Sequence, residues 1–71
     1  MRIKKEVKMN GRKLRDMRKA RDKTLRQVSV ESGVTETQIR NIETGVTENP
    51  SIATLVSLAK ALSCEITDFL D

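Results

Sequence analysis

Three side chains close together in the chain, Thr37, Arg40 and Asn41, offer a hydroxyl with its methyl, a guanidinium and an amide. Such groups donate and accept hydrogen bonds in defined directions, which is the chemistry of recognition. Chemistry that makes or breaks bonds has little to work with here. The 71-residue chain contains no histidine, so the usual general base and metal ligand is missing. Its single cysteine, Cys64, has no histidine to activate it as a nucleophile. Gly11, Gly33 and Gly45 stand apart, so there is no glycine-rich phosphate loop. No catalytic residue, metal site or cofactor is expected, and the chain reads as a binding protein rather than an enzyme.

Charge points to the kind of partner. The net charge is +4, yet residues 1–26 carry +9 and residues 27–71 carry −5. A block that basic is the electrostatic footprint of a polyanion partner, or else a solvated helix with a basic tail. A lone thiol with no secretory leader suggests a reducing, cytoplasmic setting. No apolar run approaches the roughly 20 residues of a membrane span. A chain of this length supports one domain with a small core, and pairing with a second copy would supply further buried surface. With no second domain, no small-molecule ligand is expected.

The elements that must position those side chains are helical. One aromatic residue (Phe69), one proline (Pro50) and few alternating runs argue for an all-α fold. Residues 1–9 read as an irregular basic arm and residues 10–71 as the domain. Asn10 is a plausible cap for a first helix over about 11–21, with Leu14, Met17 and either Ala20 or Arg21 inward. Thr24-Leu25-Arg26-Gln27 and Thr35-Glu36-Thr37-Gln38 both fit the capping box, in which threonine and glutamine each satisfy an orphan amide. Gly33 stands where a helix ends in a left-handed residue. The spacing therefore predicts a second helix over 25–32 and a third over 36–44, joined by Gly33, Val34 and Thr35 alone, a turn short enough to cross them steeply. Ser51 caps a fourth helix with apolar residues Ile52, Leu55, Val56, Leu58, Ala59 and Leu62. Ile66, Phe69 and Leu70 suggest a short fifth, completing a compact five-helix bundle.

Helical geometry then assigns faces. At roughly 100° per residue, Ile39 and Ile42 centre one side of the third helix, and Thr37, Arg40, Asn41 and Thr44 lie opposite. Leu25, Val28, Ser29, Gly33 and Val34 complete the seam that faces the core, and Ser29 is small enough for two helices to cross closely. Glu43 falls on the core edge beside Ile39, and Arg18 on the inner side of the first helix. The alternative for Arg40 is an ordinary surface pair with Glu36 or Glu43, worth ~0.2–0.5 kcal/mol.

The stretch from Leu14 to Leu70 resembles the Cro/repressor-type helix-turn-helix family, also called the xenobiotic-response-element family. The matching segments are Leu14-Arg15-Asp16-Met17-Arg18, Thr24-Leu25-Arg26-Gln27-Val28-Ser29, Gly33-Val34-Thr35, Ile39-Arg40-Asn41-Ile42-Glu43-Thr44-Gly45 and Asn49-Pro50-Ser51-Ile52-Ala53-Thr54-Leu55. Three positions depart from the family. Ser29 replaces its usual alanine, Leu25 stands where many members carry a phosphate-touching glutamine, and Glu48 lies where a basic residue is common.

The resemblance implies a lambda-repressor-like DNA-binding domain, with the helix-turn-helix at helices 2 and 3 and the third helix in the major groove. Arg40 would then reach guanine, Asn41 adenine and the Thr37 methyl thymine, with Thr35 and Glu36 candidates for the same edge. Arg12, Lys13, Arg26, Gln38, Thr44, Thr47 and Asn49 would contact phosphate, and the arm Arg2–Lys8 would follow the DNA backbone or the minor groove, or else remain a disordered tail. For Lys19, Arg21 and Lys23, at the far end of the first helix, solvation is the simpler reading. The family pairs an arginine with a glutamate at the positions of Arg18 and Glu43, so a partly buried bridge between them is expected. Ile66, Phe69 and Leu70 are candidates for core or dimer seam, because family members pair through this end. A homodimer would read a palindromic operator with half-sites ~34 Å apart. Cys64 stands where relatives carry an apolar residue, which implies packing rather than redox sensing.

The expected function is transcriptional regulation, as a repressor, through sequence-specific binding of double-stranded DNA. The competing expectation is an antitoxin or accessory module that uses the same bundle to hold a protein. That use would tolerate acids on the Thr37/Arg40/Asn41 face and would need a large exposed apolar patch.

Overall fold

Asn10 starts the first helix as its sequence suggests. In a computed structural model that describes residues 8–71, its side chain accepts from the amides of Arg12 and Lys13 at 3.0 and 3.4 Å and opens α1, Gly11–Ala20. α1 ends in a Schellman turn. The Asp22 amide bonds the Lys19 carbonyl, the Lys23 amide bonds that of Arg18, and Asp22 takes the left-handed conformation at φ 57°. Both capping boxes form, from Thr24 with Gln27 and from Thr35 with Gln38, and they open α2 (Leu25–Ser32) and α3 (Glu36–Glu43). Gly33 closes α2 at φ 80°, where a side chain would be strained. Ser51 caps α4, Ile52–Ala61, by accepting from the Thr54 amide at 3.1 Å.

The expected fifth helix is a 3₁₀ turn, Ile66–Phe69. Four residues are too few for a hydrogen-bonded α ladder to offset the cost of nucleation, so the tighter turn wins. The fold is therefore four α-helices and a 3₁₀ turn. α3 packs against α1 and α2, α2 also packs on α4, and the 3₁₀ turn closes on α1 and α4.

The core comprises Leu14, Val28, Val34, Ile39, Ile42, Leu55, Leu58, Ala59, Leu62 and Phe69, each under a tenth exposed. Phe69 is fully buried within the chain's own core, so it is not available as a dimer seam; Ile66 and Leu70 are half-buried. Ile52 is 68% exposed and Val56 37%, although both share the helical apolar stripe of α4. They sit at its edge, and α4 turns Leu55, Leu58 and Leu62 inward instead. Ala20 and Arg21 are likewise exposed rather than inward.

Two features were not visible as patterns in the sequence. The first joins the chain's ends. Lys8 and Met9, assigned above to the arm, lie alongside Leu70 and Asp71: Met9 pairs antiparallel with Leu70, the Asn10 amide bonds the Phe69 carbonyl at 2.7 Å, and the Asp71 amide bonds that of Lys8 at 3.0 Å. The rest of the arm, residues 1–7, lies outside the described residues. The second feature caps α4 from outside. Arg21 Nε donates to the Leu62 carbonyl at 2.8 Å, and Lys23 Nζ to the Ala61 carbonyl at 2.9 Å and to Glu31 at 2.6 Å. Arg21 and Lys23 are thus not simply solvated; their charges serve the carbonyl end of a helix, where cations are favoured.

α4 itself ends in a second Schellman turn, with the Cys64 amide on the Ala59 carbonyl and Ser63 left-handed at φ 54°. Cys64 fills the apolar position that follows such a turn. Burial, then the Asp68 carboxylate, pushes its thiol above the ordinary pKa, with Arg21 pulling the other way, so little thiolate is present at neutral pH. No helix of the described residues is long and apolar enough to cross a membrane.

Candidate nucleic-acid interface

The short link from α2 to α3 fixes which side of α3 is free. Ile39 and Ile42 are 0% and 2% exposed, which turns Thr37, Arg40 and Thr44 outward into solvent and leaves Asn41 half-buried at the flank. Arg40 makes no ion pair with Glu36 or Glu43, so its guanidinium is free to bind elsewhere. The Thr44 hydroxyl donates to the Arg40 carbonyl at 2.9 Å and closes the end of the helix. The Asn41 carbonyl accepts from the Thr47 amide at 2.9 Å, which ties the following loop to α3. At the other end, Thr35 accepts from the Gln38 amide and donates to the Gln38 side chain, so its hydroxyl is occupied in capping.

α3 is anchored from the opposite side. Arg18 Nε donates to Glu43 Oε2 at 2.7 Å, its Nη2 to Oε1 at 3.0 Å, and its Nη1 to the Lys23 carbonyl at 2.9 Å. The two side chains are 11% and 6% exposed. A forked, desolvated pair of this kind fixes both distance and angle between α1 and the end of α3. The bond to Glu43, opposed by burial, raises the Arg18 pKa above its ordinary value, so the guanidinium stays charged. Among the described residues no buried side-chain nitrogen or oxygen lacks a partner.

The phosphate candidates divide by position. Arg26 and Glu36 border a shallow groove with Arg15, Lys19 and Leu25, between α1 and the start of α2. Arg40 and Thr44 border its continuation with Arg15, Arg18, Leu25 and Glu43. On the far side of α3, Gln38 and Thr47 face Ser51 and Thr54 at the start of α4. Asn49 lines a further groove with Thr47, Gly45 and Gly11. Arg12 is exposed at the start of α1. Lys13 also has a structural use: its ammonium donates to the Leu70 carbonyl at 2.7 Å and lies 4.0 Å from the Asp71 carboxylate, so it secures the C-terminal segment. Arg15, not among the candidates above, borders both parts of the first groove. Its spacing could have shown it, because Gly11, Arg15 and Arg18 recur at i, i+4 and i+7 and so share the side of α1 that faces α3. Among the described residues, no group of three or more Cys, Asp or Glu side chains stands together as a metal site requires.

Comparison with known proteins matches this geometry to a family. Residues 14–69 match the family model described as Helix-turn-helix. Over 63 residues the chain is 38% identical to the HTH-type transcriptional regulator SlrR of Bacillus subtilis (strain 168), covering 89% of this chain and 41% of that protein. The chain thus spans about two fifths of that relative's length. Among solved structures it is similar to the restriction-modification controller protein C.AhdI from Aeromonas hydrophila, with a TM-score of 0.78 at 27% identity over 83% of this chain and 88% of that one. It is equally similar to the N-terminal DNA-binding domain of the biofilm regulator SinR from Bacillus subtilis, with a TM-score of 0.78 at 27% identity over 89% and 91% of the two chains.

Proposed function

The chain belongs to the helix-turn-helix family, and on that premise we propose that it regulates transcription, as a repressor, by binding double-stranded DNA with α3 in the major groove. One observation carries this reading. α3 buries Ile39 and Ile42 and turns Thr37 and Arg40 outward with Asn41 half-buried at their flank, and among the described residues no element covers this face and no ion pair holds Arg40. In the groove, Arg40 reads guanine with two donors, Asn41 reads adenine, and the Thr37 methyl meets thymine. Thr35 and Glu36 lie at the entering end of the helix. Arg12, Lys13, Arg26, Gln38, Thr44, Thr47 and Asn49 set the register on the sugar–phosphate backbone.

The protein acts in the cytoplasm as a homodimer on a palindromic operator, with half-sites ~34 Å apart. The half-buried Ile66 and Leu70 and the exposed Ile52 and Val56, one turn apart on α4, support a second copy as partner. The same exposed pair is what an antitoxin or accessory module would use to hold a different protein. The polar Thr37–Asn41 face, which carries the Arg40 cation and no acid, supports DNA.

Substitution separates these readings. Arg40→Ala and Asn41→Ala are each expected to lower affinity for a preferred duplex by about 5- to 150-fold, the ~1–3 kcal/mol of one base contact. Affinity for a scrambled duplex should change far less. Fluorescence anisotropy on both duplexes measures the ratio. Unchanged discrimination in both variants would remove α3 from base reading.

A further inference from the structure

Most cations of the described residues can be sorted by what they already hold. Arg18 is paired with Glu43, Arg21 and Lys23 cap α4, and Lys13 holds the C-terminal segment. Arg15, Lys19, Arg26 and Arg40 have no hydrogen bond or ion pair from their side chains. All four border the groove that runs along α1 past the start of α2 to α3. Its apolar wall is Leu25, a side chain with no hydrogen bond to offer a ligand. Thr24 caps only the Gln27 amide, so the first amides of α2, at the edge of the groove, have no hydrogen-bond partner among the described residues. The acids on this groove, Asp22 and Glu36, form no ion pair with these four cations, and Glu43 is matched by Arg18.

We propose that Arg15, on α1 and outside the helix-turn-helix, grips a backbone phosphate of the bound DNA over Leu25, alongside Arg26. The ligand is a phosphodiester of the strand that borders the major groove on the α1 side. A guanidinium suits it because its forked donors match two phosphate oxygens. The grip lies one helical turn from Arg18. The bridge that holds α3 at its angle therefore also holds the phosphate contact at a fixed distance from the base-reading face. Arg15 contributes to affinity and register and carries no sequence information.

The inference rests on the DNA-binding reading, and salt titration tests the two separately. Binding of the full chain to a labelled mixed-sequence duplex, and to a duplex recovered by selection, is measured across a series of salt concentrations. Arg15→Ala is expected to lower affinity about tenfold on both duplexes, the loss of one charge-assisted bond. It should reduce the slope of log K against log salt by ~0.9, the value for one phosphate. Arg15→Lys keeps the charge and is expected to restore the slope. Lys60→Ala, on α4 and outside the groove, should leave it unchanged. The melting temperature of Arg15→Ala should equal that of the wild type, because Arg15 is exposed and unpaired. An unchanged slope, a loss confined to the selected duplex, or a fall in melting temperature would each overturn the assignment while leaving DNA binding intact. A wild-type chain that binds neither duplex would overturn the DNA reading itself.

Discussion

Glu43→Ala is expected to destabilise the protein by about 3–5 kcal/mol, the cost of leaving one member of a buried ion pair without its partner. The number is large because Arg18 and Glu43 are 11% and 6% exposed and share two bonds, at 2.7 and 3.0 Å. Without the carboxylate, the guanidinium keeps only the Lys23 carbonyl. In a small domain each kcal/mol moves the melting temperature by about 4–8 °C, so thermal melts should show a fall of more than about 12 °C. The double variant Arg18→Met/Glu43→Leu should recover most of that loss, because apolar residues of similar volume avoid desolvating a charge. An unchanged melting temperature in Glu43→Ala would contradict the bridge. Failure of the double variant to recover would show that packing, not a stranded charge, carries the loss. The pH dependence has a definite sign. A raised Arg18 pKa contributes stability that is complete below the unfolded arginine value and is lost only as pH rises through the folded one. The arginine side of the bridge therefore makes no change in stability between about pH 5 and 9.

Gly11→Ala is the second large effect, and its sign runs against helix propensity. Alanine is favoured over glycine in a helix by about 1 kcal/mol. Position 11, however, is where α1 meets the end of α3. A β-carbon there would overlap the Ile42 carbonyl oxygen and lie 3.0 Å from that of Glu43. Both obstacles are backbone, and the Ile42 carbonyl, the nearer of the two, already accepts from the Gly45 amide, so it cannot rotate aside. The helices must separate, and the expected net cost is about 2–3 kcal/mol, at the upper end for overpacking. Separation also pulls Arg18 from Glu43, so Gly11→Ala and Glu43→Ala should be less than additive in a double-mutant cycle. Gly33→Ala serves as the comparison. It meets nothing within 4 Å and costs only the left-handed backbone conformation, about 1–2 kcal/mol. Equilibrium denaturation of the three variants gives the ranking. A more stable Gly11→Ala would refute the close approach.

The sequence displays the turn chemistry of the site more fully than its long-range contacts. Thr24 with Gln27 and Thr35 with Gln38 announce the starts of α2 and α3 because a capping box is local, with both members in one stretch of four residues. The outward face of α3 follows from Ile39 and Ile42 by helical periodicity alone. Arg18 and Glu43 could each be placed on an inner flank, but their pairing came from the family resemblance, since nothing in a single chain states which charge meets which. Arg21, Lys23 and Lys13 illustrate what cannot be read this way. Each donates to a backbone carbonyl, of Leu62, Ala61 and Leu70 in turn, and a carbonyl has no residue type to recognise. Ile52 and Val56 show a different limit. The apolar stripe of α4 is wider than the face its neighbours cover, so periodicity marks the stripe and tertiary packing selects the part that is buried. Arg15 stands at helical spacing from Gly11 and Arg18, and the groove beside it, which its proposed role rests on, is a tertiary feature that spacing does not state.

Base reading by the exposed face of α3 is tested by selection of bound molecules from random duplex DNA, at low and at physiological salt. Recovered duplexes are expected to share a recurrent motif at both salt concentrations. Asn41→Ala is expected to relax that motif at one position while the rest persists. Recovery without any shared motif, or no recovery at either concentration, would show that α3 does not read sequence.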